Sequence, residues 1–212
     1  MSDPLPARGT AKAGAPIEFW FDFASGYAYF AALEIEEMGG RLGRPIVWRP
    51  FMLGTAFKAT GVRGLSSTPL KRDYAWRDWD RIARLRGVPF RLPGHHPSVA
   101  LPATRLFYVL DADDPARAKT FARAVFDAYF TRGIDSGNLD HVLEVAGLLG
   151  FDTGDLAARA VAPEIKEKVR TLSEAAVARG MFGSPFFIAD GEPFWGWDRM
   201  AMMEQWVARG GW

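Results

Sequence analysis

Residues 19–30 read FWFDFASGYAYF, and within this stretch the hydrophobic pattern changes from that of a strand to that of a helix. The segment from Ile17 to Phe23 is aromatic and β-branched with almost no polar break, which predicts a buried strand. Apolar residues from Tyr29 onward recur at helical spacing, so we expect a helix that starts near Ser25. Ser25 therefore lies at the strand-to-helix turn, as the N-cap or a first-turn residue.

The position of Ser25 leaves two roles open. The backbone N–H groups at a helix N-terminus attract anions and lower the pKa of a thiol that is held there. A serine at this position also caps a helix without any chemical function. This stretch alone does not decide between a catalytic and a purely structural serine.

Composition excludes several classes of protein. The 212 residues are 49% hydrophobic, and 26 basic against 25 acidic residues give a net charge of +1. Because no basic excess is available to neutralise phosphates, we do not expect nucleic acid as a partner. No apolar run approaches the roughly 20 residues of a membrane span. Residues 1–16 lack an apolar core segment, so we expect a flexible leader, no signal peptide and a cytoplasmic protein.

The chain contains no cysteine, which excludes a disulfide scaffold, a thiolate zinc site and a thiol nucleophile of the protein itself. A disulfide oxidoreductase is excluded for the same reason. Any thiol chemistry must therefore use a small molecule that brings the sulfur. The three histidines show no metal-binding spacing, so we expect no metal.

The predicted elements follow a recognisable order. A first strand, a helix and a second strand within Arg44 to Phe51 form a βαβ unit, whose strands are normally parallel. The glycine-rich segment from Met52 to Gly64 is predicted to be a loop. From Pro69 to about Gly180 the pattern is overwhelmingly helical.

The C-terminal part returns to strands. A short apolar run ends at Asp190-Gly191, which is a strong hairpin signal, and Glu192 to Trp195 follow as the partner strand. Asp198 is predicted to open and cap a last helix. The order βαβ, helical block, ββα predicts an α/β protein with a thioredoxin-like fold. Residues 17–64 and 181–212 would form the thioredoxin-like domain, and residues 65–180 an inserted all-helical domain.

Four motifs in chain order carry a family resemblance. The stretch FDFASGYAY at residues 21–29 resembles the Asp-Phe-x-Ser-Pro-Tyr-x-Tyr signature of 2-hydroxychromene-2-carboxylate isomerases. These enzymes are relatives of kappa-class glutathione transferases within the DsbA-like thioredoxin superfamily. The family's lysine segment, Gly-x-Pro turn and Trp-Gly-x-Asp-Arg segment are similar to residues 48–58, 182–185 and 194–199. The resemblance covers about Ile17 to Gly210, and it departs from the family pattern at two positions. Gly26 replaces a proline, and Trp197 replaces a small or polar residue.

The resemblance implies glutathione as the cofactor, a small aromatic carboxylate as the substrate and a homodimer. Ser25 would be the catalytic residue that favours the thiolate of glutathione. Ser184, followed by a cis-Pro185, would pair with the cysteinyl part of glutathione like a neighbouring strand. Asp198 and Arg199 would bind its γ-glutamyl end by charge pairing.

Two further residues are candidates for binding the aromatic acid. Lys58 is a lone cation near the open end of the predicted sheet, where ligands of α/β folds bind. His96 precedes a proline in a broken loop and faces either this site or the solvent. Alternatively, Lys58 is a solvent-exposed lysine in a loop and has no role in binding.

The sequence therefore predicts a glutathione-dependent isomerase of 2-hydroxychromene-2-carboxylate-type acids. One alternative is a kappa-like glutathione transferase, which conjugates its substrate and does not release it. A second is a thioredoxin-like binding protein without redox activity.

Overall fold

The structure is a computed structural model that describes residues 14–212. The predicted leader, residues 1–16, lies almost entirely outside the described residues. A four-stranded sheet has the strand order β2-β1-β3-β4. Its strands are β1 (Ile17–Phe21), β2 (Ile46–Pro50), β3 (Phe186–Ala189) and β4 (Glu192–Trp195). β1 and β2 are parallel, as the predicted βαβ unit requires, and the other neighbours are antiparallel.

Nine α-helices accompany the sheet within residues 14–212. They are α1 (Gly26–Leu42), α2 (Leu53–Thr60), α3 (Lys71–Arg86), α4 (Leu101–Asp113), α5 (Pro115–Asp127), α6 (Leu139–Leu148), α7 (Thr153–Ala160), α8 (Pro163–Ala178) and α9 (Met200–Arg209). Two 3₁₀ turns span Leu65–Ser67 and Trp197–Arg199, and a π-helical turn spans Ala128–Arg132. None of the helices described combines the length and the hydrophobicity that crossing a membrane requires.

The element order confirms the predicted fold. A β1-α1-β2 unit comes first, a helical block follows, and β3, β4 and α9 complete a thioredoxin-like arrangement. Six helices, α3 to α8, lie within residues 65–180, which is consistent with an inserted helical part. The exact boundaries proposed for the two domains, 64/65 and 180/181, remain a prediction.

The central strand β1 explains why its sequence is hydrophobic without alternation. Phe19 and Phe21 are fully buried on one face, where Phe21 packs against Phe126 of α5 at a centroid distance of 5.4 Å. Trp20 is buried on the other face, beside Phe51 at 6.1 Å. A strand that is covered on both faces gains from apolar side chains at every position.

The predicted hairpin is confirmed. Asp190 and Gly191 both have positive φ values, 53° and 90°, as a tight hairpin turn requires. Arg44, just before β2, forms an ion pair of 2.7 Å with Asp190, and both side chains are almost fully buried. The hairpin is therefore fixed to the segment that precedes β2.

The prediction of a loop from Met52 to Gly64 was wrong, because this segment contains α2. The backbone N–H of Leu53, the first residue of α2, donates to a carboxylate oxygen of Asp22 at 3.1 Å. Such a cap comes from a residue distant in sequence and leaves no local signal. Gly61, which indicated a loop, is the left-handed residue that ends the helix, with φ 70°.

The predicted start of the last helix was also wrong. Asp198 lies inside the 3₁₀ turn Trp197–Arg199, and α9 begins at Met200 without a side-chain cap. Gly196 has φ 105°, and one carboxylate oxygen of Asp198 lies 2.6 Å from the position that a Cβ on Gly196 would occupy. The side chain of Asp198 thus folds back over Gly196, away from the N–H groups of α9.

Candidate functional site

Ser25 is the N-cap of α1, as predicted, with an extended backbone (φ −88°, ψ 115°). Its hydroxyl oxygen accepts a hydrogen bond from the N–H of Ala28 at 3.3 Å. The N–H groups of Gly26 and Tyr27 make no hydrogen bond to another described residue. The start of this 17-residue helix therefore presents free donors and the positive end of the helix dipole.

The hydroxyl group of Ser25 also reaches the turn before β3. It donates to the backbone carbonyl of Ser184 at 2.8 Å, across 159 residues of sequence. The side chain of Ser184 accepts the N–H of Asp22 at 2.9 Å, which links the same two segments a second time. The peptide bond between Ser184 and Pro185 is cis, as predicted. The structure thus brings Ser25, Ser184 and Pro185 together in one place.

The buried residue Asp22 adjoins Ser184, whose hydroxyl oxygen accepts its backbone N–H. One of the carboxylate oxygens of Asp22 accepts the N–H of Ala24 at 2.9 Å, and the other accepts that of Leu53. Burial raises the pKa of Asp22, although these two hydrogen bonds act in the opposite direction. Asp22 fixes the turn before α1 and the start of α2 to the end of β1.

Lys58 lies on this second helix. It is exposed in the last turn of α2 and forms no ion pair with a described residue. Because Asp22 holds the other end of α2, the position of Lys58 depends on the buried carboxylate.

Trp79 of α3 covers the first residue of α1. A Cβ on Gly26 would lie 2.6 Å from the indole ring of Trp79, so the ring rests directly on the glycine backbone. Only 3% of Trp79 is exposed, and its indole N–H has no hydrogen-bond partner among residues 14–212. The indole N–H of Trp197, whose ring lies 6.1 Å from that of Phe30 on α1, is buried and unpartnered in the same way. A buried N–H without an acceptor is costly, and a ligand that supplied one would remove this penalty.

His96 lies on the far side of Trp79, with their rings edge to face at 5.4 Å. Both of its ring nitrogens are engaged, Nδ1 with the Tyr129 hydroxyl at 3.0 Å and Nε2 with the Ser66 hydroxyl at 2.7 Å. Burial, reinforced by the neighbouring His95, lowers the pKa of His96 to about 4. His96 is therefore neutral near pH 7.

Asp198 and Arg199 are exposed and pair with each other at 3.0 Å. The 3₁₀ turn that contains both residues packs against α1. The pKa of Tyr27 on this helix is raised first by burial, then by Asp78, and also by the charge of Asp198. Arg199 borders a groove lined by aromatic side chains that include Trp195. Both charges therefore lie at the surface, where they pair with each other.

The sequence interpretation missed Ser66, Tyr129 and the contact of Trp79 with Gly26. Ser66 and Tyr129 lie in different segments of the helical block and carry no motif of their own. The glycine in place of the family's proline was the one visible sign, since it marks a position that a ring covers. Trp76, on the same helix as Trp79, is 38% exposed.

The strand order, the proline turn and the serine at the start of α1 define a thioredoxin-like protein. The chain belongs to the family of the DSBA-like thioredoxin domain, which matches residues 16–208. It is 27% identical to a 2-hydroxychromene-2-carboxylate isomerase of Sphingobium xenophagum over 90% of this chain and 97% of that protein. It is 26% identical to glutathione S-transferase kappa 2 of Caenorhabditis elegans, with 91% of each chain covered.

A solved structure of a 2-hydroxychromene-2-carboxylate isomerase resembles this structure with a TM-score of 0.82 and 26% identity. The match covers 91% of this chain and 94% of the other. These relatives support an isomerase function for the chain.

Proposed function

We propose that this protein is a glutathione-dependent isomerase of 2-hydroxychromene-2-carboxylate-type aromatic acids, which it converts to the trans-hydroxybenzylidenepyruvate form. The observation that carries the proposal is the hydrogen bond of Ser25, at the start of α1, to Ser184 before Pro185, in a chain without cysteine. It joins a helix N-terminus, which favours a thiolate, to a turn that can pair with a peptide.

The residues around Ser25 fit glutathione. The N–H groups of Gly26, Tyr27 and Ser184 form no hydrogen bond within residues 14–212, and the indole N–H of Trp79 is buried without an acceptor. Free donors of this kind suit an anionic peptide. When bound, glutathione supplies the thiol nucleophile that the protein lacks.

Ser25 would contribute by rotating its hydroxyl group, so that the proton points toward another acceptor. In the structure this proton is donated to the carbonyl of Ser184. Turned toward a sulfur at the start of α1, it would stabilise the thiolate together with the N–H groups and the helix dipole. The carbonyl of Ser184 would then be free to accept an N–H from the bound peptide.

Charged residues at the two ends of the site would bind glutathione and the aromatic acid. We assign Asp198 and Arg199 to the γ-glutamyl end and Lys58 to the carboxylate of the aromatic acid. The turn that contains Asp198 packs against α1, and Lys58 is a cation without an ion-pair partner among the described residues. A homodimer, a cytoplasmic location and a role in the breakdown of aromatic compounds belong to the same proposal.

A kappa-like glutathione transferase is the second candidate, favoured by the similarity to the C. elegans protein. The two functions differ in their product, because an isomerase releases glutathione unchanged and a transferase consumes it. Turnover of 2-hydroxychromene-2-carboxylate at several glutathione concentrations, with free thiol measured at the end, separates them.

The experiment that tests the proposal compares Ser25→Ala with Asp152→Ala. Both residues are N-caps, but Asp152 caps α7. Each change should lower the free energy of unfolding by about 0.5–2 kcal/mol, as the loss of a cap does. Only Ser25→Ala should lower kcat/KM, by about 100-fold, as the loss of one donor to a developing anion does. Equal turnover in the two variants, or wild-type turnover that does not require glutathione, would contradict the proposal.

A further inference from the structure

A chain of hydrogen bonds runs from the interior of the helical block to Ser66. The N–H of Ser98 donates to the hydroxyl oxygen of Tyr129 at 3.1 Å, and this hydroxyl contacts Nδ1 of His96 at 3.0 Å. Nε2 of His96 contacts the hydroxyl of Ser66 at 2.7 Å. Tyr129 is fully buried and lies in the π-helical turn, a type of irregularity that is frequent at functional sites.

The direction of these bonds follows from the protons available. The hydroxyl of Tyr129 accepts the N–H of Ser98 and contacts Nδ1 of His96, and we assign its proton to Nδ1. In the reverse direction the Tyr129 proton would have to turn to the hydroxyl of Ser98, which itself donates to Asp135 at 2.6 Å. Nε2 of His96 therefore carries the ring proton and donates it to the oxygen of Ser66. The proton of Ser66 itself remains free for another acceptor.

The protonation state of His96 preserves this direction. Burial and the neighbouring His95 lower its pKa to about 4, so the ring remains neutral around pH 7. A neutral ring that accepts at Nδ1 and donates at Nε2 polarises the hydroxyl that it contacts. Ser66 is thus a stronger donor than an isolated serine.

Ser66 lies in the segment that follows α2, the helix that carries Lys58. The ring of Phe57, next to Lys58, lies 2.9 Å from the position of a Cβ on Gly64, so the segment after α2 folds back on this helix. Two residues later Ser66 stands in the 3₁₀ turn, half-buried. On its other side, His96 packs on the ring of Trp79 that covers the start of α1.

We propose that Ser66 is a further substrate-binding residue, whose hydroxyl donates to the carboxylate of the aromatic acid beside Lys58. His96 and Tyr129 are positioning residues that act through Ser66. The inference rests on the proposed function for the identity of the acid. It makes the site selective for a carboxylate over a neutral ester, because a hydroxyl donates a stronger hydrogen bond to an anionic carboxylate than to the carbonyl oxygen of an ester.

Binding of two probes tests this assignment. We would titrate trans-benzylidenepyruvate and its methyl ester, without glutathione, into wild-type protein, Ser66→Ala and Ser67→Ala, and follow tryptophan fluorescence. Ser67 is the matched control, since it is exposed and its side chain bonds to no described residue. Ser66→Ala should weaken binding of the acid about tenfold and weaken binding of the ester clearly less, because the ester accepts only a neutral hydrogen bond. Ser67→Ala should change neither.

Three results would overturn the inference: equal affinity of Ser66→Ala and wild type for the acid, an equal loss for acid and ester, or no binding of the acid by wild type. The positioning roles have a separate readout in ¹⁵N NMR of labelled histidine, with His96→Asn to assign the signal. His96 should be protonated at Nε2 alone near pH 7, and Tyr129→Phe should abolish this preference. A ring of His96 that is protonated at Nδ1 would overturn the positioning roles of His96 and Tyr129. None of these measurements uses turnover or glutathione, so their failure is distinct from the failure of the isomerase proposal.

Discussion

Gly26 and Trp79 form a matched pair of residues at the start of α1. The indole ring lies 2.6 Å from the position that a Cβ on Gly26 would take, which is well inside van der Waals contact. The family signature that this stretch resembles has a proline there, whose ring would fill the same space. The absence of a side chain at Gly26 therefore allows Trp79 to pack over the helix N-terminus.

Replacing Gly26 tests this pairing against a glycine of the same helix. Gly26→Ala should lower the free energy of unfolding by about 1–3 kcal/mol, because Trp79 has to move. Gly40→Ala is the control, since a Cβ there meets nothing within 4 Å. It should raise the stability by about 0.5–1 kcal/mol, as alanine does in a helix interior. Urea unfolding gives the free energy of unfolding of both variants. If both changes altered it with the same sign, the packing of Trp79 would not require a glycine at position 26.

At the scale of elements, Asp22 joins β1, the turn before α1 and the start of α2. Its two carboxylate oxygens accept the N–H groups of Ala24 and Leu53, 2 and 31 residues away. Lys58 lies at the opposite end of the short helix α2. A change at Asp22 should therefore reach Lys58 through α2 as well as affect the turn at Ser25.

The substitution Asp22→Asn removes one of the two acceptors and leaves a donor in its place. It should lower the free energy of unfolding by about 1–3 kcal/mol, because a buried N–H loses its partner. It should also raise the KM for the aromatic acid, and this effect should largely vanish when Lys58 is already methionine, since both changes act on one interaction.

The control is Asp114→Asn, because Asp114 caps α5 and its side chain accepts hydrogen bonds only from N–H groups of α5 among the described residues. It should leave the KM unchanged. Independent, additive effects of Asp22→Asn and Lys58→Met on the KM would show that Asp22 does not position Lys58.

The elements show where sequence patterns suffice. The first strand, the capping of α1 by Ser25 and the Asp190-Gly191 hairpin depend on neighbouring residues, and all three were predictable. The helix α2 was not, because its first N–H is capped by Asp22 across 31 residues. The start of α9 was misplaced because the φ of Gly196, 105°, decides where Asp198 points.

At the scale of the whole molecule, the candidate site combines distant parts of the chain. Ser25 and Ser184 were predictable as a pair because each belongs to a motif of a known fold. The network of His96, Tyr129 and Ser66 was not, since its members lie 30 and 33 residues apart from His96 and meet only in the folded helical block. Local pattern locates the strand-to-helix turn, whereas packing of the helical block determines the opposite wall of the site.

That packing predicts how the stability of the whole molecule depends on pH. His96 has a pKa of about 4 in the folded protein against an ordinary value of 6.5. Between these two values the unfolded chain binds a proton that the folded protein does not, so stability should fall as the pH is lowered from 6.5 to 4. The slope from His96 is at most about 1.4 kcal/mol per pH unit. Above pH 6.5 His96 should contribute no slope.

Asp22 acts with the opposite sign, because burial raises its pKa and the folded protein then binds the proton first. A comparison of wild type with His96→Asn separates the two residues, since Asp22 is present in both. Urea unfolding at intervals from pH 4.5 to 7.5 should give two curves that diverge as the pH rises to 6.5 and run parallel above it. The constant difference in the free energy of unfolding above pH 6.5 measures the hydrogen bonds that are lost with the imidazole ring. The change of this difference below pH 6.5 measures how strongly the folded protein keeps the ring neutral. Parallel curves over the whole range would mean that His96 is protonated equally readily in the folded and unfolded chain, and the neutral hydrogen-bonded chain from Tyr129 to Ser66 would then be wrong.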